Sequence, residues 1–340
     1  MAVGLGRDAS TDAGSVSCTS GTVALTLATP VLMLVLDRSG SMGGRLGQTN
    51  GTDSRWQILT TALASSLPPV ASTMEIGALV FPSATQGFDC AVDPTVDLAP
   101  QLDQVAALVS LMQSTTPGGA TPTALAIDSA ARQLFAIRAA TTARALVLAT
   151  DGAPNCNAAL DPATCTCAAG NGCVANGNGA MCLDEARTVE TIGGYEAQGL
   201  PTYVIGIEDS NDAQFADVLS AMAIAGGRPQ SGATSYYAGR SEADLDAALV
   251  AIRNQVGACV YLTSSVPDTN GTILVTLDGA VIPYDATGVS GWEWANRANG
   301  QILLGGAACS AASASATGAL QAQVTCSENV SADASIDGQQ

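Results

Sequence analysis

Histidine is missing from the 340 residues, and all 12 basic residues are arginine, so lysine is missing too. These absences exclude a Ser-His-Asp triad, His-ligated zinc or haem, a lysine Schiff base and a P-loop lysine. No catalytic residue is therefore assigned, and the chain is not expected to be an enzyme. Only 12% of residues are charged and 4% aromatic, against 47% hydrophobic. That composition excludes a disordered chain and implies a sizeable core built from Ala, Val, Leu and Ile. No apolar run approaches the ~20 residues of a membrane span, and no signal peptide opens the sequence. The net charge of -18 would repel a phosphate backbone, which excludes nucleic acid as a partner. It favours cations or basic partners, although solubility or a high-salt habitat explains most of that charge equally well.

What the chain does have is cysteine: Cys18, Cys90, Cys156, Cys165, Cys167, Cys173, Cys182, Cys259, Cys309 and Cys326. An even count without histidine reads as disulfides formed in an oxidising compartment: extracellular, at the cell surface or periplasmic. The opening Met1-Ala2, ahead of a Gly/Ser/Asp/Thr-rich stretch to Ser20, reads as an initiator added where a signal or anchor segment was removed. Five cysteines fall within residues 156–182, in an insertion whose Asn171-Gly172 and Asn176-Gly177-Asn178-Gly179 carry no packing signal. Cys165, Cys167 and Cys173 could form a zinc knuckle, but no histidine completes it. Five cannot pair among themselves, so Cys90 is the expected outside partner. Cys18 with Cys259, and Cys309 with Cys326, are the remaining pairings expected. Asn50-Gly51-Thr52, Asn270-Gly271-Thr272 and Asn329-Val330-Ser331 match the short glycosylation pattern, which is common by chance.

Four apolar runs, Val31 to Leu36, Ile76 to Phe81, Ala145 to Thr150 and Thr202 to Ile207, suit strands buried on both faces of a sheet. Between them lie helical spacings: Trp56, Leu59, Leu63, Leu67; Leu102, Val105, Val109, Met112; and Leu245, Leu249, Ile252, Val256. Ser241-Glu242-Ala243-Asp244 resembles a capping box for the last of these. Strand alternating with helix predicts an α/β fold: a doubly wound, mostly parallel sheet flanked by helices over residues 30–257. Beyond Cys259 the pattern changes to strands, with a hairpin at Asp278-Gly279. Residues 21–29 and 258–327 are therefore expected to form a small all-β module. Residues 1–20 are read as a flexible leading segment and 328–340 as a tail.

Chemistry gathers at strand ends. The first buried strand runs into Asp37-Arg38-Ser39-Gly40-Ser41, where a carboxylate and two alternate hydroxyls share one tight loop. In open α/β sheets, ligands bind beyond the carboxyl ends of strands, where the strand order reverses. Hard cations such as Mg²⁺ take oxygen ligands, so these three oxygens make half a shell. In Gly118-Gly119-Ala120-Thr121-Pro122-Thr123, Thr121 sits at a helix start, where alone it reads as a simple cap. Asp151-Gly152 follows the strand Ala145 to Thr150, and alone reads as a turn.

Together, Asp-x-Ser-x-Ser, a later Thr at a helix start and an Asp after a later strand resemble the metal-ion-dependent adhesion site of von Willebrand factor A (VWA) domains. The background agrees: Trp56 opening the first helix, Tyr203-Val204-Ile205-Gly206 as a late strand, and Ala225-Gly226-Gly227 after the next helix. The segment Thr150 to Cys156 also resembles a bacterial subset of surface lipoproteins in which such a segment begins a cysteine-rich insertion. The resemblance spans about 225 residues. It implies that Ser39, Ser41 and Thr121 offer hydroxyls to a divalent cation, Mg²⁺ first and Mn²⁺ or Ca²⁺ as alternatives. Asp37 and Asp151 would act mainly through bound water, leaving a position open for a partner's carboxylate. A phosphatase of the haloacid dehalogenase type is the rival. It needs an Asp where Ser39 stands and a lysine that the chain lacks.

The expected function is thus adhesion or binding at the cell surface, toward a protein or surface ligand presenting a carboxylate, with a native lipid anchor compatible. A structural or assembly role, with the metal fixing a subunit contact or stiffening the domain, is the alternative.

Overall fold

The structure is a computed structural model describing residues 16–46, 53–83, 90–137, 143–167, 173, 179–208, 215–257, 259–287, 290–315 and 319–327. The leading residues 1–15, the tail 328–340, the Asn50 and Asn329 glycosylation patterns and most of the Asn-Gly stretch in the insertion lie outside them. The chain divides into two compact units, Thr29–Ala258 and Met1–Ala28 with Cys259–Gln340. Among the described residues, no helix is long and apolar enough to cross a membrane.

Strands β1 (Gly21–Ala24) and β2 (Thr26–Leu27) belong to the second unit. The first unit holds β3 (Val31–Asp37), β4 (Glu75–Phe81), β5 (Leu98–Gln101), β6 (Arg144–Thr150), β7 (Thr202–Ile207) and β8 (Tyr237–Gly239). They form one sheet in the order β5-β4-β3-β6-β7-β8, parallel except for β5. All four apolar runs are strands here. Every residue of β3, β6 and β7 is buried, as expected for strands covered on both faces. β5 and β8 are short edge strands without a long apolar run, and β5 carries Pro100, which an edge tolerates.

Helices α1 (Arg55–Ser66), α2 (Val105–Ser114), α3 (Thr123–Ile137), α4 (Glu185–Glu196), α5 (Ala216–Ala225) and α6 (Glu242–Gly257) cover the sheet. Leu32, Leu34 and Leu36 of β3 face a core shared with α1, α2 and α6. Val31, Met33 and Val35 face the other, shared with α3, α4 and α5. This alternation is the period of two that a strand imposes. The α2 face differs from the expected one: Leu102 is exposed, Val109 half-buried, and Leu108 and Met112 are buried. Asp103, at φ 57, breaks the chain before Val105, so the helix starts later and its buried stripe is re-phased.

The second unit corrects the expectation of an all-β module. Two antiparallel sheets, β1-β14-β10-β11 and β12-β13-β9-β2, share a core that includes Leu25, Val275, Trp292, Ile302 and Val324. Their later strands are β9 (Val260–Leu262), β10 (Thr272–Leu277), β11 (Ala280–Ile282), β12 (Trp292–Asn296), β13 (Gln301–Leu304) and β14 (Leu320–Thr325). A helix, α7 (Gly306–Ala314), joins them. Its sequence GAACSAASA has no amphipathic stripe, so periodicity misses it, but alanine is the strongest helix former. The expected pairings here are also overturned: Cys18 joins Cys326, and Cys259 joins Cys309.

Candidate metal centre

Strand order reverses between β3 and β6: β4 lies on one side of β3, and β7 beyond β6 on the other. The carboxyl ends of β3 and β6 deliver Asp37 and Asp151 to that switch point, where α/β sheets bind ligands. Asp37 is fully buried. Its carboxylate accepts from the Ser39 amide at 2.7 Å and the Thr150 hydroxyl at 2.6 Å. Ser39 Oγ lies 3.0 Å from Ser41 Oγ, and Ser41 Oγ donates to Asp151 Oδ1 at 2.8 Å.

Backbone bonds stitch three loops into one floor. The Gly40 amide donates to Gly119 O at 3.2 Å, and the Gly118 amide to Arg38 O at 2.7 Å. Gly119 adopts φ 90, a conformation costly for any residue with a Cβ, which explains a glycine there. The Thr121 amide donates to Asn155 Oδ1 at 2.7 Å, and the Asn155 amide to Thr121 O at 2.9 Å. Helix α3 begins at Thr123, two residues beyond Thr121, and Asn155 holds the Thr121 backbone at both its amide and its carbonyl. All five sequence-selected residues thus come together. Ser39, Ser41, Thr121 and Asp151 line one cavity of about 320 Å³, and Asp37 lies beneath Ser39.

Sequence reasoning missed three contributors. Thr150 and Asn155 are the partners just described. The third is Arg55, whose Nη1 lies 3.2 Å from Asp151 Oδ2 and donates to Ser41 O at 3.1 Å. One signal could have exposed it: a cation in the first turn of a helix opposes the helix dipole, so its place there calls for another reason.

The electrostatics favour a cation. Burial, and then the neighbouring Asp151, push the Asp37 carboxyl up to about 7. Burial also raises Asp151, while Ser41 and Arg55 oppose that shift. Two buried carboxyls therefore lack full compensation from the chain itself. The donors are all oxygen, hydroxyls and carboxylates, the chemistry hard divalent ions select. The set fits such an ion.

Among the described residues, the cysteines of the insertion offer no rival centre. Cys165, Cys173 and Cys182 have sulfurs within 4.8 Å of one another. They are bonded as Cys165–Cys182 and Cys167–Cys173, with Cys90–Cys156 alongside, and no described cysteine is free. Cys90 is thus the outside partner, as expected from the odd count.

No protein-family model matches the chain, and no curated protein matches it. Similar solved structures include the PilB minor pilin from Streptococcus sanguinis, at 16% identity over 68% of this chain and 61% of that one, TM-score 0.48. The pilus adhesin SpaC from Lactobacillus rhamnosus GG is similar at 12% identity over 88% of this chain and 39% of that one, TM-score 0.45. The vWF domain of the type V pili tip protein Mfa5 from Porphyromonas gingivalis is similar at 14% identity, over 68% of this chain and 94% of that one, TM-score 0.42. The chain thus spans less than two thirds of PilB and of SpaC. The functional reading rests on the site itself.

Proposed function

We propose that this chain is an adhesion or binding protein of the VWA kind, which grips an acidic group on a partner through a divalent cation, Mg²⁺ foremost. The observation that carries this reading is the run of oxygens from Ser39 through Ser41 to Asp151, with Asp37 beneath it and Thr121 on the same cavity, at the sheet's switch point. Ser39, Ser41 and Thr121 would hold the ion by their hydroxyls, while Asp37 and Asp151 supply the negative charge. A bound cation would add a Lewis-acidic position able to accept a carboxylate oxygen. The chain has no histidine or lysine, and the Asp37 carboxyl is fully buried with one oxygen accepting from the Ser39 amide and the other from the Thr150 hydroxyl, so the site suits holding an anion better than activating water. Five disulfides support residence in an oxidising compartment, at the cell surface or outside it, and a lipid anchor on the native protein is compatible with that.

Titration calorimetry with Mg²⁺ tests the reading. Wild type should bind one ion, while Asp37→Ala and Thr121→Ala should bind weakly or not at all. An Asp37→Ala protein that takes up Mg²⁺ normally would sink it.

A further inference from the structure

Two apolar side chains stand on the wall of the same cavity, Met181 from the cysteine-rich insertion and Phe215 from the start of α5. We infer that the acidic group this site takes is flanked by an apolar residue, and that Met181 and Phe215 select it. The inference rests on the metal-site reading above and names the partner chemistry for it.

Met181 is fixed there. It ends a short 3-10 helix, Gly179–Met181, and the next residue, Cys182, is bonded to Cys165. The Leu183 amide donates to Thr166 O at 2.9 Å, and the Asp184 amide to Pro154 O at 2.9 Å. Asn157 Nδ2 donates to Asp184 Oδ1 at 2.7 Å, so this segment is tied to the loop that follows Asp151. A Cβ on Gly179 would collide with the Asn157 carbonyl oxygen, which shows how closely the two backbones meet. The Cys165–Cys182 crosslink and these backbone bonds hold Met181 beside the candidate metal residues.

Both residues are half-buried rather than packed away and line the cavity, so apolar surface remains there for a ligand to cover. At about 30 Å³ of liquid volume per water, the cavity of about 320 Å³ holds far more than one carboxylate group. Covering apolar wall with an apolar neighbour of that carboxylate removes both surfaces from water.

The test uses the full chain labelled with ¹³C-methyl methionine, in Mg²⁺ and in chelator, with two capped tripeptides as probes: Leu-Asp-Leu and Ser-Asp-Ser. The expected result is Mg²⁺-dependent binding of both, with Leu-Asp-Leu tighter by about tenfold, and a shift of the Met181 methyl signal for that peptide only. Met181→Ser and Phe215→Ser should each shrink the preference, and Met181→Leu should keep it. Equal affinity for the two peptides overturns the inference and leaves the metal reading standing. So does a preference that survives Met181→Ser, or loss of Mg²⁺ uptake in that variant, which would make Met181 a support of the metal loops. No Mg²⁺-dependent binding of either peptide overturns the metal reading, and the inference with it.

Discussion

The Arg55 guanidinium sits 3.2 Å from the Asp151 carboxylate, and that carboxylate also accepts from the Ser41 hydroxyl at 2.8 Å. The Asp151 side chain is 1% exposed and that of Arg55 17%, so the pair is shielded from water and salt. Arg55 therefore supplies part of the positive charge that a divalent ion would bring. The two cations should compete for the field of Asp151. Arg55→Met should raise Mg²⁺ affinity by roughly tenfold, because a unit charge a few ångströms away is removed. In chelator the same variant should lose ~1–3 kcal/mol of stability, since it leaves the buried Asp151 carboxylate without one of its donors. Calorimetry and melting in chelator measure the two effects. A loss of Mg²⁺ affinity in Arg55→Met would mean that Arg55 builds the site rather than competing for it.

Chelation should lower the melting temperature of the wild type. An ion bound only by the folded state adds about 2.7 kcal/mol at a hundredfold excess over its dissociation constant. For a unit of this size that is a shift of several degrees. Asp37→Asn should remove the shift while leaving the unit folded, because its fully buried carboxyl is replaced by an isosteric neutral group. An undiminished Mg²⁺ shift in Asp37→Asn would count against Asp37 as a site residue.

The pH dependence of metal-free stability follows from the same carboxyl. The folded-state value of Asp37 is pushed from 3.8 up to about 7, so the folded state holds more protons than the unfolded chain between those values. Stability must then fall as pH rises through that window. In chelator the protein should melt higher at pH 5 than at pH 8. Saturating Mg²⁺ should oppose this slope, because the ion binds the charged form. A metal-free protein that gained stability from pH 5 to pH 8 would contradict the assignment, and Asp37→Asn should flatten the slope.

How much was legible depended on whether a feature is local. Asp37, Ser39 and Ser41 share five residues at the end of one apolar run, so the pattern and its strand context are read together. Thr121 and Asp151 are legible because each follows or opens a recognisable element. Arg55 and Asn155 were not, because their roles exist only once separate loops approach: Asn155 meets Thr121 across 34 residues, and Arg55 meets Asp151 across 96. The Cys18 pairing was misjudged for the same reason. β1 pairs with β14 so that Gly21 faces Val324, and the antiparallel register carries Cys18 toward Cys326 just beyond. Cys259 precedes β9 and its carbonyl accepts from Leu304 of β13, which leads into α7 and Cys309. Cysteine spacing holds neither register. The α7 helix escaped because alanine and serine give no hydrophobic stripe to count.

Two disulfides of the first unit should have separable effects. Cys90–Cys156 closes a loop of 66 residues and Cys167–Cys173 one of 6. Chain entropy alone assigns about 4 kcal/mol to the first and about 2 to the second. Only the first is anchored next to the floor of the candidate site, since Cys156 follows Asn155, whose side chain and amide hold Thr121 from both sides. Replacing Cys90 and Cys156 by alanine should therefore lower both the melting temperature and Mg²⁺ affinity, as the Asn155–Thr121 clasp loosens. Replacing Cys167 and Cys173 should lower the melting temperature less and leave Mg²⁺ affinity unchanged. Calorimetry on both double variants decides it: equal Mg²⁺ affinities in the two would show that Cys90–Cys156 stabilises the unit without shaping the site.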